Sequence, residues 1–113
     1  RVRARLRTAG VDDGDLSIGD LRMNLEGRRV DRAGRMLDLS RTEFDLLEVL
    51  VRNQGVVLGR DVLYERVWGG ELDVESKTLD VYVGYLRKKL EEGDATRLVH
   101  TVRGLGYVAR EDA

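Results

Sequence analysis

The stretch that most constrains this chain is residues 76–90, an amphipathic segment with the period of an α-helix. Its apolar residues recur at steps of four, three and four, and they are Leu79, Val83, Leu86 and Leu90. Because about 100° separates neighbouring residues of a helix, these four share one stripe that should face a core. The opposite side carries Lys77, Val81, Gly84 and Lys88, with Thr78 and Tyr85 beside them and Arg87 and Lys89 toward the flanks.

This outer face differs from an ordinary solvated one, which would alternate acids with bases and avoid apolar residues. It suits DNA, because the major groove admits a helix, its rims are phosphate and its floor offers thymine methyls. Val81 is a candidate for a methyl contact. Gly84 would let the helix axis approach closely, at a cost in helix propensity of about 1 kcal/mol relative to alanine. The alternative is a solvated face with an incidental glycine.

Length and composition set the outer limits of the fold. The chain has 113 residues, which suits one domain with a modest core. It has no cysteine, so disulfides and thiolate metal sites are excluded. No apolar run has the length of a membrane span, and the N-terminal residues lack the apolar stretch of a signal peptide. We therefore expect a cytoplasmic protein.

The net charge of −1 argues against a general nucleic-acid coat, but the charges are unevenly distributed. Residues 76–110 contain seven lysines or arginines and four acids, while most of the other acids lie upstream. A local basic patch can therefore exist on a nearly neutral molecule.

The N-terminal third of the sequence is predicted to form a terminal segment followed by a β-sheet. Residues 1–14 are interpreted as the tail of a helix and a linker, with a basic arm for a minor groove as the alternative. In residues 16–39, Ile18, Leu21, Met23 and Leu25 alternate with polar residues, and 26–28 and 32–35 supply turns. This pattern predicts a small antiparallel sheet of three or four strands, with one face covering the helices.

Two helices are predicted in the middle of the chain. Ser40 and Glu43 form a capping box ahead of an apolar stripe that runs to Arg52, and residues 53–55 stop the helix with glycine at its C-terminal cap. After a short extended link, residues 59–61 open the second helix, where Val62, Leu63 and Val67 should face inward and Tyr64 and Trp68 are neighbours. Gly69 and Gly70 end it. Together with residues 76–90, this helix predicts a helix-turn-helix arrangement.

The connecting residues 71–75 are acidic, and two interpretations stay open. Acids just before a helix favour its dipole, or the segment is a partner-binding loop. Residues 98–109 alternate like strands around residues 103–106, which predicts a hairpin. A hairpin beside a recognition helix is a wing, from which Arg103 would reach a minor groove or a phosphate.

An enzymatic function is not expected. His100, the one histidine, is predicted to lie at a surface or strand edge, without an acid at metal-ligand spacing or a nucleophile beside it. Asp38 and Asp80 are unaccompanied carboxylates in the sequence. No cofactor is implied.

Four motifs in order, TEFDLLEVLVRN, RDVLYERVWG, TLDVYVGYLRKKLE and HTVRGLGYV, resemble the DNA-binding output domain of OmpR/PhoB-family bacterial response regulators. The resemblance covers about residues 15–110. It implies an α+β fold, a winged helix-turn-helix with an N-terminal four-stranded antiparallel sheet, three helices and a C-terminal β-hairpin wing. Residues 1–7 resemble the last helix of a receiver domain, so 1–14 are assigned to its end and a linker, and 111–113 to a tail.

The resemblance also implies which residues act. Groove or phosphate positions fall on Lys77, Thr78, Val81, Tyr82, Tyr85, Arg87 and Lys88, and the wing tip on Arg103. A loop used toward RNA polymerase would comprise Trp68, Gly69, Gly70, Glu71, Leu72, Asp73, Val74 and Glu75. Relatives often carry arginines where this chain has Gly84 and Tyr85, so base readout should depend more on phosphates, methyls and DNA shape.

Expected partners follow from the same resemblance: direct-repeat promoter sites bound as a head-to-tail pair, RNA polymerase, the receiver domain of a longer parent chain and its histidine kinase. The alternative is a winged-helix module that binds proteins through Trp68 and the acidic loop. RNA binding is less expected, because no predicted sheet face carries paired aromatic residues.

Overall fold

The chain folds as a sheet, three helices and a hairpin, in that order, in a computed structural model that describes residues 15–69 and 77–111. The strands of the sheet are β1 (Asp15–Ile18), β2 (Leu21–Asn24), β3 (Arg29–Arg32) and β4 (Arg35–Leu37). The helices are α1 (Arg41–Arg52), α2 (Arg60–Trp68) and α3 (Thr78–Leu90). A short 3₁₀ turn (Glu92–Asp94) leads to β5 (Val99–Val102) and β6 (Gly106–Ala109).

This architecture confirms the predicted α+β fold. The interpretation of residues 1–14 lies outside the described residues, as does the end of the predicted tail. Among the helices described, none has the length and apolar character needed to cross a membrane.

The N-terminal sheet is antiparallel in the order β1-β2-β3-β4, and one of its faces is buried. Met23 pairs with Val30, and Val30 pairs with Leu37, so apolar side chains line up across the strands. One part of the predicted pattern was wrong. The alternation from Ile18 onward is not one strand, because a turn at Gly19 and Asp20 divides it into β1 and β2. Gly19 has a φ of +58°, which favours glycine.

Helix α1 follows its sequence signals closely. The capping box is confirmed, since Ser40 Oγ accepts from the Glu43 amide at 3.2 Å and Glu43 Oε1 accepts from the Ser40 amide at 2.9 Å. The helix ends at Arg52 as predicted. Its C-cap, however, is Asn53 rather than a glycine, and Gly55 follows with a φ of +86°.

Helix α2 is flanked by the predicted glycines, with Gly59 at its N-cap and a left-handed Gly69 at its C-cap. Leu63 and Tyr64 are fully buried, whereas Val62 and Val67 are half-buried. The inward face was therefore predicted only in part, because Tyr64 belongs to the core.

The hairpin is attached to the link between α1 and α2. Leu58 and Tyr107 exchange two backbone hydrogen bonds, of 2.8 and 3.0 Å. Gly106 has a φ of +150° and lies so close to this link that a Cβ atom would collide with the Leu58 carbonyl. The predicted turn at 103–106 is thus one residue too long, since Gly106 begins β6.

A buried arginine joins the sheet to the end of α3. Arg32 is 2% exposed, and its guanidinium donates to the backbone carbonyls of Leu90 at 2.9 Å and Thr96 at 2.6 Å, to the Thr96 hydroxyl and to Asp20. The Leu90 carbonyl is one of the last in α3, where no intrahelical amide remains to satisfy it. Arg32 therefore stabilises the C-terminal end of this helix.

Replacing Arg32 with methionine should lower the free energy of unfolding by about 2–4 kcal/mol, because buried carbonyls lose their donor. Urea denaturation monitored by circular dichroism would measure this change. Arg35→Ala is the matched control, since Arg35 pairs with Glu92 at the surface and should contribute no more than about 1 kcal/mol. Equal losses for the two variants would contradict the role assigned to Arg32.

A second polar contact joins α1 to α3. Lys89 Nζ donates to Glu43 Oε1 at 2.6 Å and to the Asp38 carbonyl at 2.9 Å. Although burial alone would raise it, hydrogen bonds from Lys89 and Ser40 hold the pKa of Glu43 below its ordinary value of 4.5. Ionised Glu43 thus stabilises the fold above pH 4.5, and this stabilisation is lost as the pH falls through the lowered pKa.

Glu43→Gln should lower the free energy of unfolding by about 1–2 kcal/mol at pH 7, because a charged hydrogen bond becomes neutral. The difference from the parent chain should shrink as the pH falls below 4.5, where the parent loses the same charge. Urea denaturation between pH 3 and pH 7 would measure it. Glu48→Gln is the control, because Glu48 lies in the same helix and pairs with exposed Arg52; its free energy of unfolding should differ little from that of the parent chain at any pH. An effect of Glu43→Gln that does not depend on pH would contradict the stabilising role assigned to ionised Glu43.

Candidate nucleic-acid interface

The apolar stripe of α3 is buried as predicted. Leu79, Leu86 and Leu90 are inaccessible to solvent, and Val83 is 1% exposed. The helix begins at Thr78, with Lys77 as its N-cap residue, while the predicted first residue, Ser76, lies outside the described residues. This burial fixes the rotation of α3 about its axis and so determines which side chains point away from the core.

The side opposite the stripe is open. Lys77 and Lys88 are exposed, as are Val81 at 45% and Tyr85 at 52%. A Cβ added to Gly84 would meet no atom within 4 Å, so the core does not require a glycine there. The structure therefore brings together the two lysines, the valine, the bare backbone and the phenol that the sequence assigns to one face.

An aromatic row covers one flank of this face. Ring centroids of Tyr64 and Trp68 are 5.3 Å apart, those of Trp68 and Tyr82 are 5.8 Å apart, and Tyr82 meets Tyr85 edge-on at 5.7 Å. Such geometry is favourable for aromatic pairs. Only the first pair was predicted, although the i, i+3 spacing of Tyr82 and Tyr85 could have indicated the last. Tyr82 and Thr78 are half-buried, and Tyr85 extends from the row into solvent.

Arg87 lies on the opposite flank and joins α3 to the hairpin. Its Nε donates to the Val99 carbonyl at 2.9 Å and its Nη2 to Thr101 Oγ1 at 2.6 Å. Its guanidinium is 5.8 Å from the centre of the Tyr107 ring. Burial, and then the nearby Arg97 cation, lower the pKa of Arg87. Two of its nitrogens are thus used inside the domain, which sequence reasoning missed.

Asp80 is not an unaccompanied carboxylate, and that prediction was wrong. Its Oδ1 accepts from Arg60 Nη1 at 2.7 Å and from the Tyr107 hydroxyl at 2.6 Å. Burial alone would raise the pKa of Asp80, but these two hydrogen bonds bring it below its usual value. Burial, and then the bond to Asp80, raise the pKa of Tyr107 to about 12. The partners are 20 and 27 residues away, so no local pattern indicates them.

The hairpin tip is exposed beside α3. Arg103, Gly104 and Leu105 form the turn, which is closed by a 2.9 Å hydrogen bond from the Leu105 amide to the Val102 carbonyl. A groove of about 510 Å³ separates the tip from the start of α2. Arg103 is thus presented on the same side of the molecule as the first residues of α2.

The predicted polymerase loop and the predicted position of His100 can be compared with the structure only in part. Of the proposed polymerase loop, Trp68 is half-buried in the aromatic row and Gly69 caps α2, while residues 70–75 lie outside the described residues. His100 is half-buried in β5, which is an edge strand of the two-stranded hairpin as one of the two predicted alternatives had it, and its Nε2 has no hydrogen-bond partner in the described part of the chain.

Two successive helices, an exposed face on the second and a hairpin beside it define a winged helix-turn-helix domain. Residues 34–109 match the family described as "Transcriptional regulatory protein, C terminal". Over 115 residues the chain is 46% identical to the response regulator MprA of Mycobacterium leprae (strain TN), covering 98% of this chain and 50% of that protein.

Solved structures of similar sequence have the same fold. The DNA-binding domain of Klebsiella pneumoniae RstA, in complex with the RstA box, has a TM-score of 0.76 and 31% identity, covering 85% of this chain and 96% of that one. DrrB, a Thermotoga maritima OmpR/PhoB homolog, has a TM-score of 0.75 and 28% identity, covering 86% of this chain and 44% of that one. The chain belongs to the family of transcriptional regulatory protein C-terminal domains, of the OmpR/PhoB type. It spans about half the length of the curated relatives it matches.

Proposed function

We propose that this domain binds double-stranded DNA in a sequence-specific way, with α3 in the major groove and the hairpin tip near the adjacent minor groove. The observation that carries the proposal is the outer face of α3, where Lys77, Val81, Tyr85 and Lys88 remain exposed while the stripe behind them is buried. The similarity to the RstA domain in complex with its box supports the same conclusion.

Individual roles follow from exposure and chemistry. Lys77, Lys88 and Arg103 are exposed cations and would bind phosphates, with Arg103 acting from the minor-groove side. Val81 and Tyr85 would contact bases, because a methyl and a ring suit the thymine edge.

The flanking positions have narrower roles. Thr78 and Tyr82 are half-buried at the rim and would contact the backbone of DNA, while Gly84 would allow the helix to approach closely. Arg87 has two nitrogens engaged with β5, so it would offer a phosphate only the remaining edge of its guanidinium.

The parent protein is proposed from its relatives. Since the chain spans half of MprA, a response regulator, a receiver domain and a histidine kinase would regulate the domain in a bacterial cytoplasm. Head-to-tail pairs on direct repeats would combine two modest interfaces through effective concentration. The segment from Trp68 to Glu75 would contact RNA polymerase.

The binding of DNA can be tested on two adjacent lysines of α3. Lys88→Ala should weaken binding to all duplexes alike and reduce the slope of log affinity against log salt by about one unit, because one phosphate contact is lost. Fluorescence anisotropy at several salt concentrations, with a random duplex and a duplex selected from a random pool, would measure both effects.

Lys89→Ala is the matched control, since Lys89 is held by Glu43 and Asp38 within the domain. It should lower stability and leave the salt slope unchanged. A loss confined to one base pair on Lys88→Ala would refute the phosphate role. If the parent chain binds neither duplex at low salt, the alternative function, a winged-helix module that binds proteins, is favoured instead.

A base contact is predicted for Val81. If its methyls meet a thymine methyl, Val81→Ala should weaken binding by on the order of 1 kcal/mol at one A·T step and leave nonspecific binding unchanged. Binding to duplexes that differ at single positions would locate that step. Val56→Ala removes the same methyls from another exposed valine, in the link before α2, and should have no effect. Equal losses on specific and random duplexes would exclude the contact.

A further inference from the structure

Three elements of the domain meet at one carboxylate oxygen. Asp80 is in the first turn of α3, and its Oδ1 accepts both from Arg60 at the start of α2 and from Tyr107 in β6. Tyr107 is 8% exposed, while the side chains of Asp80 and Arg60 are 43% and 36% exposed. The junction therefore has a buried phenol on one side and a solvated ion pair on the other.

The Arg60–Asp80 ion pair is not explained by its contribution to stability. A solvated ion pair contributes little, typically less than about 1 kcal/mol. A carboxylate on a helix that approaches phosphates also repels them, unless neighbouring donors offset its charge. The bond from the phenol is different, since an O–H donor and an ionised acceptor at 2.6 Å form a strong and directional contact.

The hairpin is attached to α3 at two points along the same flank. The first is Tyr107 on Asp80, and the second is Thr101 on Arg87. Thr101 and Tyr107 are themselves paired across β5 and β6. Asp80 and Arg87 are seven residues apart, which is about 10 Å along the helix axis. The Leu58–Tyr107 backbone bonds hold the hairpin to the link before α2, and the two attachments to α3 set its angle relative to that helix.

We propose that Asp80 is a positioning residue for the wing: by holding Tyr107, its carboxylate sets the hairpin so that Arg103 reaches DNA while α3 occupies the major groove. The inference rests on the proposed function, because it assigns a role within that interface. Asp80 need not touch DNA itself. Its effect reaches the duplex through the hairpin, whose turn at residues 103–105 ends two residues before Tyr107.

A double-mutant cycle tests the proposal. Arg103→Ala is combined with Tyr107→Phe, which removes the hydroxyl and keeps the ring, and affinities are measured for a duplex selected by the parent chain from a random pool. If the bond positions the wing, the loss caused by Arg103→Ala should be at least about threefold smaller in the Tyr107→Phe background, because neighbouring groups that act together are not additive. Equal losses in the two backgrounds overturn the proposal.

Hydroxyl-radical footprinting gives a readout that a loss of stability would not produce. Tyr107→Phe should reduce protection of the minor groove near the wing and preserve protection where α3 binds. All measurements are made at a temperature where thermal unfolding shows every variant to be folded. A uniform loss of protection across the site would overturn the proposal.

Asp80→Asn is the second variant and Asp61→Asn is its matched control. Both remove one negative charge near the start of α2 or α3, but Asp61 accepts, within residues 15–69 and 77–111, only from the Val62 amide in its own helix. Asp80→Asn should reduce the effect of Arg103→Ala, and Asp61→Asn should not. If the parent chain binds no duplex, the proposed function fails and the inference with it; if it binds and the losses add, only the positioning role fails.

Discussion

Burial of the leucine stripe of α3 is the interaction on which the rest of this domain depends. A helix that offers one side to a partner can be held only by its other side and its ends. The stripe holds the side, the Tyr64 hydroxyl accepts from the Leu79 amide at 3.0 Å near one end, and Arg32 donates to the Leu90 carbonyl at the other. The sheet, α2 and the hairpin therefore hold α3 in place. The exposed face of α3 does not pack against the core.

The charged residues of α3 show that position relative to this stripe, and not charge itself, decides which cations are bonded within the domain and which remain exposed. Arg87, Lys88 and Lys89 are consecutive cations at the end of the same helix. Arg87 is used by β5 and Lys89 by Glu43, while Lys88, between them, is exposed. Each step of one residue turns the side chain by about 100°, so three neighbours face three different environments. A net charge of −1 is compatible with a basic exposed face on α3, because several acids are paired with cations elsewhere in the domain.

Much of the fold was predictable because its signals are local. The capping box at Ser40 and the stripe of α3 depend on residues that recur within four positions, and each glycine that flanks α2 marks one end of that helix by itself. The contacts that the sequence did not indicate have the opposite character. Arg32 binds residues 58 and 64 positions away, and Asp80 binds partners 20 and 27 positions away, so no periodicity could indicate either contact. The exposed face was predictable from the stripe, whereas the contacts that orient it required the assembled fold.

The exposed face also indicates how selectivity would be distributed. Gly84 contributes no side chain to the centre of the face, and Tyr85 meets Tyr82 edge-on, which limits the orientations available to its ring. A restrained ring loses little conformational entropy on binding, but it offers one hydroxyl where an arginine would offer five donors. In the proposed complex few hydrogen bonds to base edges would therefore form, and discrimination would come from methyl contacts, from groove shape and from the second contact point at the hairpin. Under the proposed function the domain would gain selectivity from the fixed geometry between helix and hairpin, because two weakly selective contacts at a set separation reject sequences that either contact alone would accept.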